Sequence, residues 1–167
     1  MKSWVMAEHP NSVLDVGAGC GTYAKWWQYL APRPYLIGVE IWPPYLTRYS
    51  LRDLYDYVLV RDVREMSLTD WPRVDVVILG DVLEHMSRAD ALRVWNLACA
   101  SARKAVYLSI PIVPMPQGAV HGNPHEEHVV PDWTHEQVLE TFPLISWHWT
   151  GTIVGRYEAL IPPASTP

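Results

Sequence analysis

Phenylalanine occurs once in this 167-residue chain, cysteine twice, and lysine only at Lys2, Lys25 and Lys104. Each scarcity excludes something. Two thiols, Cys20 in a glycine-rich segment and Cys99 in a predicted helix, cannot build a disulfide framework. With 13 basic residues against 18 acidic ones the formal charge is −5, and a nucleic-acid partner, which needs clustered Lys and Arg, is disfavoured. No apolar run approaches the ~20 residues that span a bilayer. The opening MKSWVMAEHP lacks the apolar stretch of a signal peptide. A cytoplasmic protein without membrane association is the expectation. Internal repeats and linkers are also missing, so the chain reads as one domain over 1–160 with a frayed tail at 161–167. A hydrophobic share of 49% suffices for a core and excludes disorder as the main description.

Tryptophan and proline, by contrast, are abundant, at nine and fifteen residues. Pro is almost double the ~5% of average usage. The indoles stand either in binding walls or in the core. Trp95 and Trp147 read as core, Trp42 lies beside the predicted ligand site, and Trp133 closes a Pro- and His-rich loop at 111–133. That loop exceeds the usual connection of ~4–6 residues, as functional loops often do.

Short runs rich in Val, Ile and Leu read as strands buried on both faces: SVLDV, YLIGVE, YVLV, VDVVIL and AVYLSI. Helical segments alternate with them: TYAKWWQYL ending before Pro32, a stretch opened by Pro43 and Pro44, and a long helix over 88–103. Ser87 and Asp90 cap the long helix, with Leu92, Trp95, Cys99 and Ala102 as its apolar stripe. A further helix starts at Thr134, with Gln137 completing a capping box and Trp133 stapled to Val138. The chain closes with ISWHWT and the strand at 152–161, a hairpin. Strand–helix alternation predicts an α/β fold: a doubly wound, mostly parallel sheet with an antiparallel hairpin at its edge.

The strongest motif is VLDVGAGCGTY, which places Gly17, Gly19 and Gly21 between a strand and a helix. Glycines there let the backbone turn sharply and approach a ligand. A dinucleotide fingerprint would need Gly or Ala at position 22, where Thr22 stands. Asp15 suits a ligand with a cationic, amino-acid end instead. Glu40, Asp62 and Asp81 then fall at or just after the ends of successive strands, where ligands of open α/β sheets bind.

With these residues the sequence resembles the class I S-adenosylmethionine-dependent methyltransferases over most of its length. The resemblance implies a Rossmann-like, seven-stranded methyltransferase fold. It implies that Asp15, Gly17, Ala18, Gly19 and Gly21 hold the methionine part of S-adenosylmethionine, whose product is S-adenosylhomocysteine. Glu40, with Ile41 beside it, would take the ribose hydroxyls. Asp62 would accept from the adenine amino group, with Val63 against the ring, and Asp81 would face the methyl-transfer region.

A second cluster follows the fourth strand in GDVLEHM, where Asp81, Glu84 and His85 lie along one turn. The loop QGAVHGNPHEEHVVPDWT brings His121, His125, Glu126, Glu127 and His128. Folded over the strand ends, these groups could serve as a general base, with Asp81, His85 and His128 as the catalytic candidates. They could also bind a divalent metal through Asp81, Glu84, His85 and His128. The acid-x-x-Glu-His run is similar to the metal-binding segment of small-RNA 2′-O-methyltransferases and of some ubiquinone-pathway O-methyltransferases. It departs from the RNA enzymes in having Asp81 for Glu and one extra residue between His128 and Trp133. The Gly-Asn-Pro loop and Trp-Thr helix start resemble small bacterial and phage-type methyltransferases more closely. Equally, Glu84 and His85 could only tie the strand end to the next helix, and His9 and His148 read as uninvolved.

The expected function is transfer of a methyl group from S-adenosylmethionine to a hydroxyl of a small molecule or glycan. A nicotinamide-dependent oxidoreductase and a non-catalytic, cofactor-binding scaffold are the alternatives. The short N-terminus leaves almost no substrate cap, an arrangement that a second copy of the chain or another partner would complete.

Overall fold

The computed structural model describes residues 9–162. Seven strands form one sheet: β1 Ser12–Val16, β2 Tyr35–Glu40, β3 Tyr57–Val60, β4 Val74–Gly80, β5 Ala102–Pro111, β6 Ile145–Thr150 and β7 Val154–Leu160. Their order is β3-β2-β1-β4-β5-β7-β6. The first five pair in parallel. β7 lies antiparallel on β5, with β6 antiparallel on β7 as the edge. The chain winds outward one way through β1, β2 and β3, then crosses to β4 and continues the other way. The strand ends β1 and β4 therefore flank a crevice, the usual ligand position in such sheets.

The helices are α1 Thr22–Trp27, α2 Pro44–Arg48, α3 Leu51–Leu54, α4 Arg88–Ser101 and α5 His135–Thr141. Period-two alternation sorts the strands' side chains between two cores. Leu14, Val16, Val77 and Leu79 join α4 and α5 on one face. Val13, Val76 and Ile78 join Trp27, Tyr45, Leu51 and Tyr55 on the other.

The strands lie where the apolar runs place them, and both helix N-cap side chains bond as expected. Ser87 Oγ accepts from Asp90 N at 3.1 Å, and Thr134 Oγ1 from Gln137 N at 3.2 Å. Several local expectations are corrected. α1 stops at Trp27, because the amides of Tyr29 and Leu30 fold back in tighter turns onto Trp26 and Trp27. α4 ends at Ser101, and Ala102 already belongs to β5. Its buried face is Ala91, Val94, Trp95, Ala98 and Ser101, with Leu92 and Cys99 only half-buried at its flanks. Small residues at 91 and 98 let the helix lie close to the sheet.

Trp95 is core, as expected, and its indole N–H donates to Pro143 O. Trp147 is half-buried because β6 is an edge strand. Trp133 is also core: it packs on Phe142 at 5.4 Å, with the Arg88 guanidinium 4.2 Å above its ring. Both cysteines are free. Among the described residues no helix is long and apolar enough to cross a membrane. Of the expected tail, residues 163–167 lie outside the described residues, while Ile161 N still bonds Lys104 O.

Candidate active site

Residues 17–21 turn the chain from β1 into α1, with Gly17, Gly19 and Gly21 at φ 74°, 51° and 73°. At Gly17 the need for glycine is twofold. Its φ is left-handed, and a Cβ there would lie 2.8 Å from Val82 Cγ2. The loop is tied to β2 by Gly17 N and Ala18 N, which donate to Val39 O at 2.9 and 3.0 Å. Gly19 N donates to Glu40 Oε2 and Trp42 N to Glu40 Oε1, each at 2.8 Å. Glu40 is thus fixed at the end of β2 before any ligand arrives. Burial lifts its carboxyl above the ordinary range, opposed by these backbone N–H groups.

A cleft of about 390 Å³ opens here, within the range of small-ligand sites. Gly17, Ala18, Gly19, Glu40, Ile41, Asp62, Val63, Asp81 and His85 all line it. Asp15 and Gly21 do not. Asp15 follows Val13 onto the α1–α3 face of β1, where it is buried and accepts from Tyr55 OH at 2.5 Å. Desolvation pushes its carboxyl up to about 8, with the Tyr55 hydrogen bond opposing. Gly21 is instead the N-terminal flank of α1.

Asp62 lines the cleft, but its carboxylate is already engaged. Arg64 donates to it from its backbone N (2.8 Å), Nε (2.9 Å) and Nη2 (2.7 Å). Burial raises the Asp62 carboxyl, yet the Arg64 contacts outweigh it and hold it below the usual range. A bidentate guanidinium of this kind uses most of the carboxylate's lone pairs. Asp62 thus meets the cleft already paired with Arg64 rather than as a free carboxylate.

The loop after β5 does fold over the strand ends. Val120, His121, Asn123, His125 and Glu126 line the cleft opposite the glycine loop. Tyr45 OH donates to Glu126 Oε1 at 3.0 Å, and the Trp42 and His125 rings meet edge-on at 5.9 Å, strapping the loop to α2. Within the loop Gln117 Nε2 donates to Glu126 O at 2.7 Å, and His128 N to Gln117 O at 3.0 Å. Trp42 and Trp133 supply no wall of the cleft.

Glu84, His85 and His128 each offer a ligand atom, all within 4.8 Å of one another, and the two imidazoles stand 4.9 Å apart. His85 Nδ1 lies 3.1 Å from Glu127 O and His128 Nδ1 2.6 Å from Met115 O. A carbonyl only accepts, so each Nδ1 donates, and in the neutral ring that leaves Nε2 as the acceptor. Burial holds His85 toward its neutral form. Glu84 is 1% exposed, and its Oε2 has no hydrogen-bond partner. Burial, then the charge of Asp81, raises its carboxyl well above the ordinary range. Asp81, expected in the same cluster, stands outside it: Ser109 Oγ donates to Asp81 Oδ1 at 2.8 Å.

Ser109 and Tyr23 are residues that the sequence reading missed, as are Tyr45 and Asn123. A polar residue inside the buried run AVYLSI was the available signal for Ser109.

A family model described as a methyltransferase domain matches residues 14–101, just over half the chain. The sequence finds no match among curated proteins. Solved structures share the fold at low identity. The N-terminal domain of EvdMO1, determined in the presence of SAH and D-fucose, superposes with a TM-score of 0.69 at 13% identity, covering 96% of this chain and 80% of that one. The PH0226 protein of Pyrococcus horikoshii OT3 gives 0.67 at 15%, covering 96% and 85%. Magnesium protoporphyrin IX methyltransferase from Synechocystis PCC 6803, with bound SAM, gives 0.66 at 16%, covering 96% and 76%.

Proposed function

The chain belongs to the methyltransferase-domain family, and from that membership we propose that it methylates a hydroxyl of a small molecule or glycan, using S-adenosylmethionine. The observation that carries the cofactor assignment is Glu40, pinned by Gly19 N and Trp42 N at the mouth of a glycine-lined cleft. The cleft fits such a group. Its floor at Gly17 has no room for a side chain, and the loop leaves glycine backbone facing the ligand.

In this reading Gly17, Ala18 and Gly19 hold the methionine part, and Glu40 accepts from the ribose hydroxyls. Ile41 and Val63 flank the adenine, and Asp62 shapes that wall by anchoring Arg64. Bound S-adenosylmethionine supplies an electrophilic methyl group on a sulfonium and leaves as S-adenosylhomocysteine. The chain's own contribution is chiefly alignment of donor and acceptor. His85, protonated at Nδ1, can take the acceptor's proton at Nε2. Arg61 and Arg64 on the cleft wall are paired with Asp70 and Asp62. That pairing favours an uncharged acceptor over a polyanion such as RNA.

The same donor geometry supports a second use of the cluster. Glu84, His85 and His128 form a His₂–Glu set suited to a divalent ion of the zinc or manganese kind. Metal analysis of the purified, dialysed protein separates the two. One equivalent of metal in the wild type and none in His128→Ala assigns the ion. An active, metal-free wild type assigns His85 as base.

The function is tested by incubating the protein with methyl-labelled S-adenosylmethionine and a panel of hydroxyl-bearing small molecules and sugars. The expected product is a labelled methyl ether formed together with S-adenosylhomocysteine. Label appearing only on amines would refute the acceptor class, and cofactor binding without transfer to any acceptor would indicate a scaffold.

A further inference from the structure

Asp81 is the first residue beyond β4 and has φ 52°, left-handed backbone that few residues other than glycine adopt, Asp and Asn among them. This conformation turns its amide back to Ser109, whose carbonyl accepts from Asp81 N at 2.8 Å, one step past the Gly80–Ser109 pair of the β4–β5 ladder. Ser109 Oγ closes the clamp by donating to Asp81 Oδ1, also at 2.8 Å. Ser109 is itself 4% exposed, and the Tyr23 hydroxyl lies beside it. Tyr23 fills the space where a Cβ on Gly80 would stand, so the position before Asp81 is fixed as well. Main chain and side chain of one exposed acid are thus both held by one buried serine.

The carboxylates around the cleft divide by what they already accept. Asp15 is buried against Tyr55 and does not line the cleft. Glu40 takes two backbone amides and Asp62 takes Arg64. Asp81 lines the cleft, and among the described residues its Oδ2 has no hydrogen-bond donor. Its neighbour Val82 packs on Gly17, which sets Asp81 beside the glycine loop.

We propose that Ser109 is a positioning residue that aims Asp81 Oδ2 at the α-ammonium of the cofactor's methionine end. The proposal rests on the cofactor reading above. It reassigns to Asp81 the cationic-end contact that the motif seemed to give to Asp15.

Calorimetric titration of the full chain with two probes tests it without knowledge of the acceptor. S-adenosylhomocysteine carries the ammonium, and 5′-deoxy-5′-methylthioadenosine lacks the whole amino-acid end. Ser109→Ala should weaken S-adenosylhomocysteine binding by about tenfold, the loss of an aligned charged hydrogen bond. Methylthioadenosine binding should not change, and Ser109→Thr, which keeps the hydroxyl, should restore S-adenosylhomocysteine affinity. Should Ser109→Ala fail to fold, Asp81→Asn should give the same split between probes. Equal weakening of both probes would show a merely structural role and overturn the assignment, as would an unchanged S-adenosylhomocysteine affinity. A wild type that binds neither probe would remove the cofactor reading and this assignment with it.

Discussion

Asp15 shows how one side chain can be legible as chemistry while its surroundings are set by the fold. Its place before the glycines suggested ligand contact. Strict period two along β1 puts it with Val13, against Tyr55 on the α1–α3 face. The consequence is a pH dependence of stability. In the unfolded chain this carboxyl ionises near 3.8, whereas in the fold burial moves it to about 8. Between those values the native state keeps a proton that the unfolded state releases, so stability falls as pH rises from about 4 to about 8 and then levels. Asp15→Asn should remove that slope. Compared by urea unfolding, the variant should gain on wild type between pH 5 and pH 8.5, by on the order of a few kcal/mol. An unchanged difference between the two pH values would show that Asp15 ionises normally. Asp62 differs: its motif position is readable, but its pairing with Arg64, two residues along, shows only in the folded chain.

At the scale of elements the sequence was most informative. Buried strands announce themselves by unbroken Val, Ile and Leu, and helix starts by side chains that must satisfy free amides. Ser87 and Asp90 were readable because capping is local. Ser87→Ala should therefore cost about 1 kcal/mol and lower the thermal midpoint by roughly 2–4 °C in a chain of this size. A shift below the error of a melting curve would mean that the end of α4 is held by packing alone. The buried stripe of α4 was displaced because it depends on how the helix docks, which Ala91 and Ala98 decide through close approach. Trp147 illustrates the same limit. Its alternation within β6 was visible, but the position of β6 at the outer edge follows from sheet order and leaves it half-buried.

For the whole molecule, the reversal of strand order between β1 and β4 creates the crevice, and the loop after β5 covers it. Length and composition marked that loop as functional. Its anchorage did not show in the sequence, because Tyr45 and Glu126 are 81 residues apart and meet only once α2 and the loop are in place. Tyr45→Phe removes this tie and leaves the loop's internal bonds intact. Stopped-flow displacement of S-adenosylhomocysteine should then show dissociation several-fold faster, with unfolding stability reduced by no more than about 1.5 kcal/mol, one ordinary hydrogen bond. Unchanged dissociation would mean that the loop does not gate the cleft. The Glu84, His85 and His128 cluster is likewise a product of the global fold. The adjacent pair was visible in the sequence, while the third member arrives from the loop and Asp81 is drawn off to Ser109.

The most direct test of the account is equilibrium binding of S-adenosylhomocysteine to the wild type and to Glu40→Ala, with NADH titrated in parallel. The account predicts one S-adenosylhomocysteine per chain, an affinity at least about tenfold weaker in Glu40→Ala, and no NADH binding. Tight NADH binding with no affinity for S-adenosylhomocysteine would contradict it.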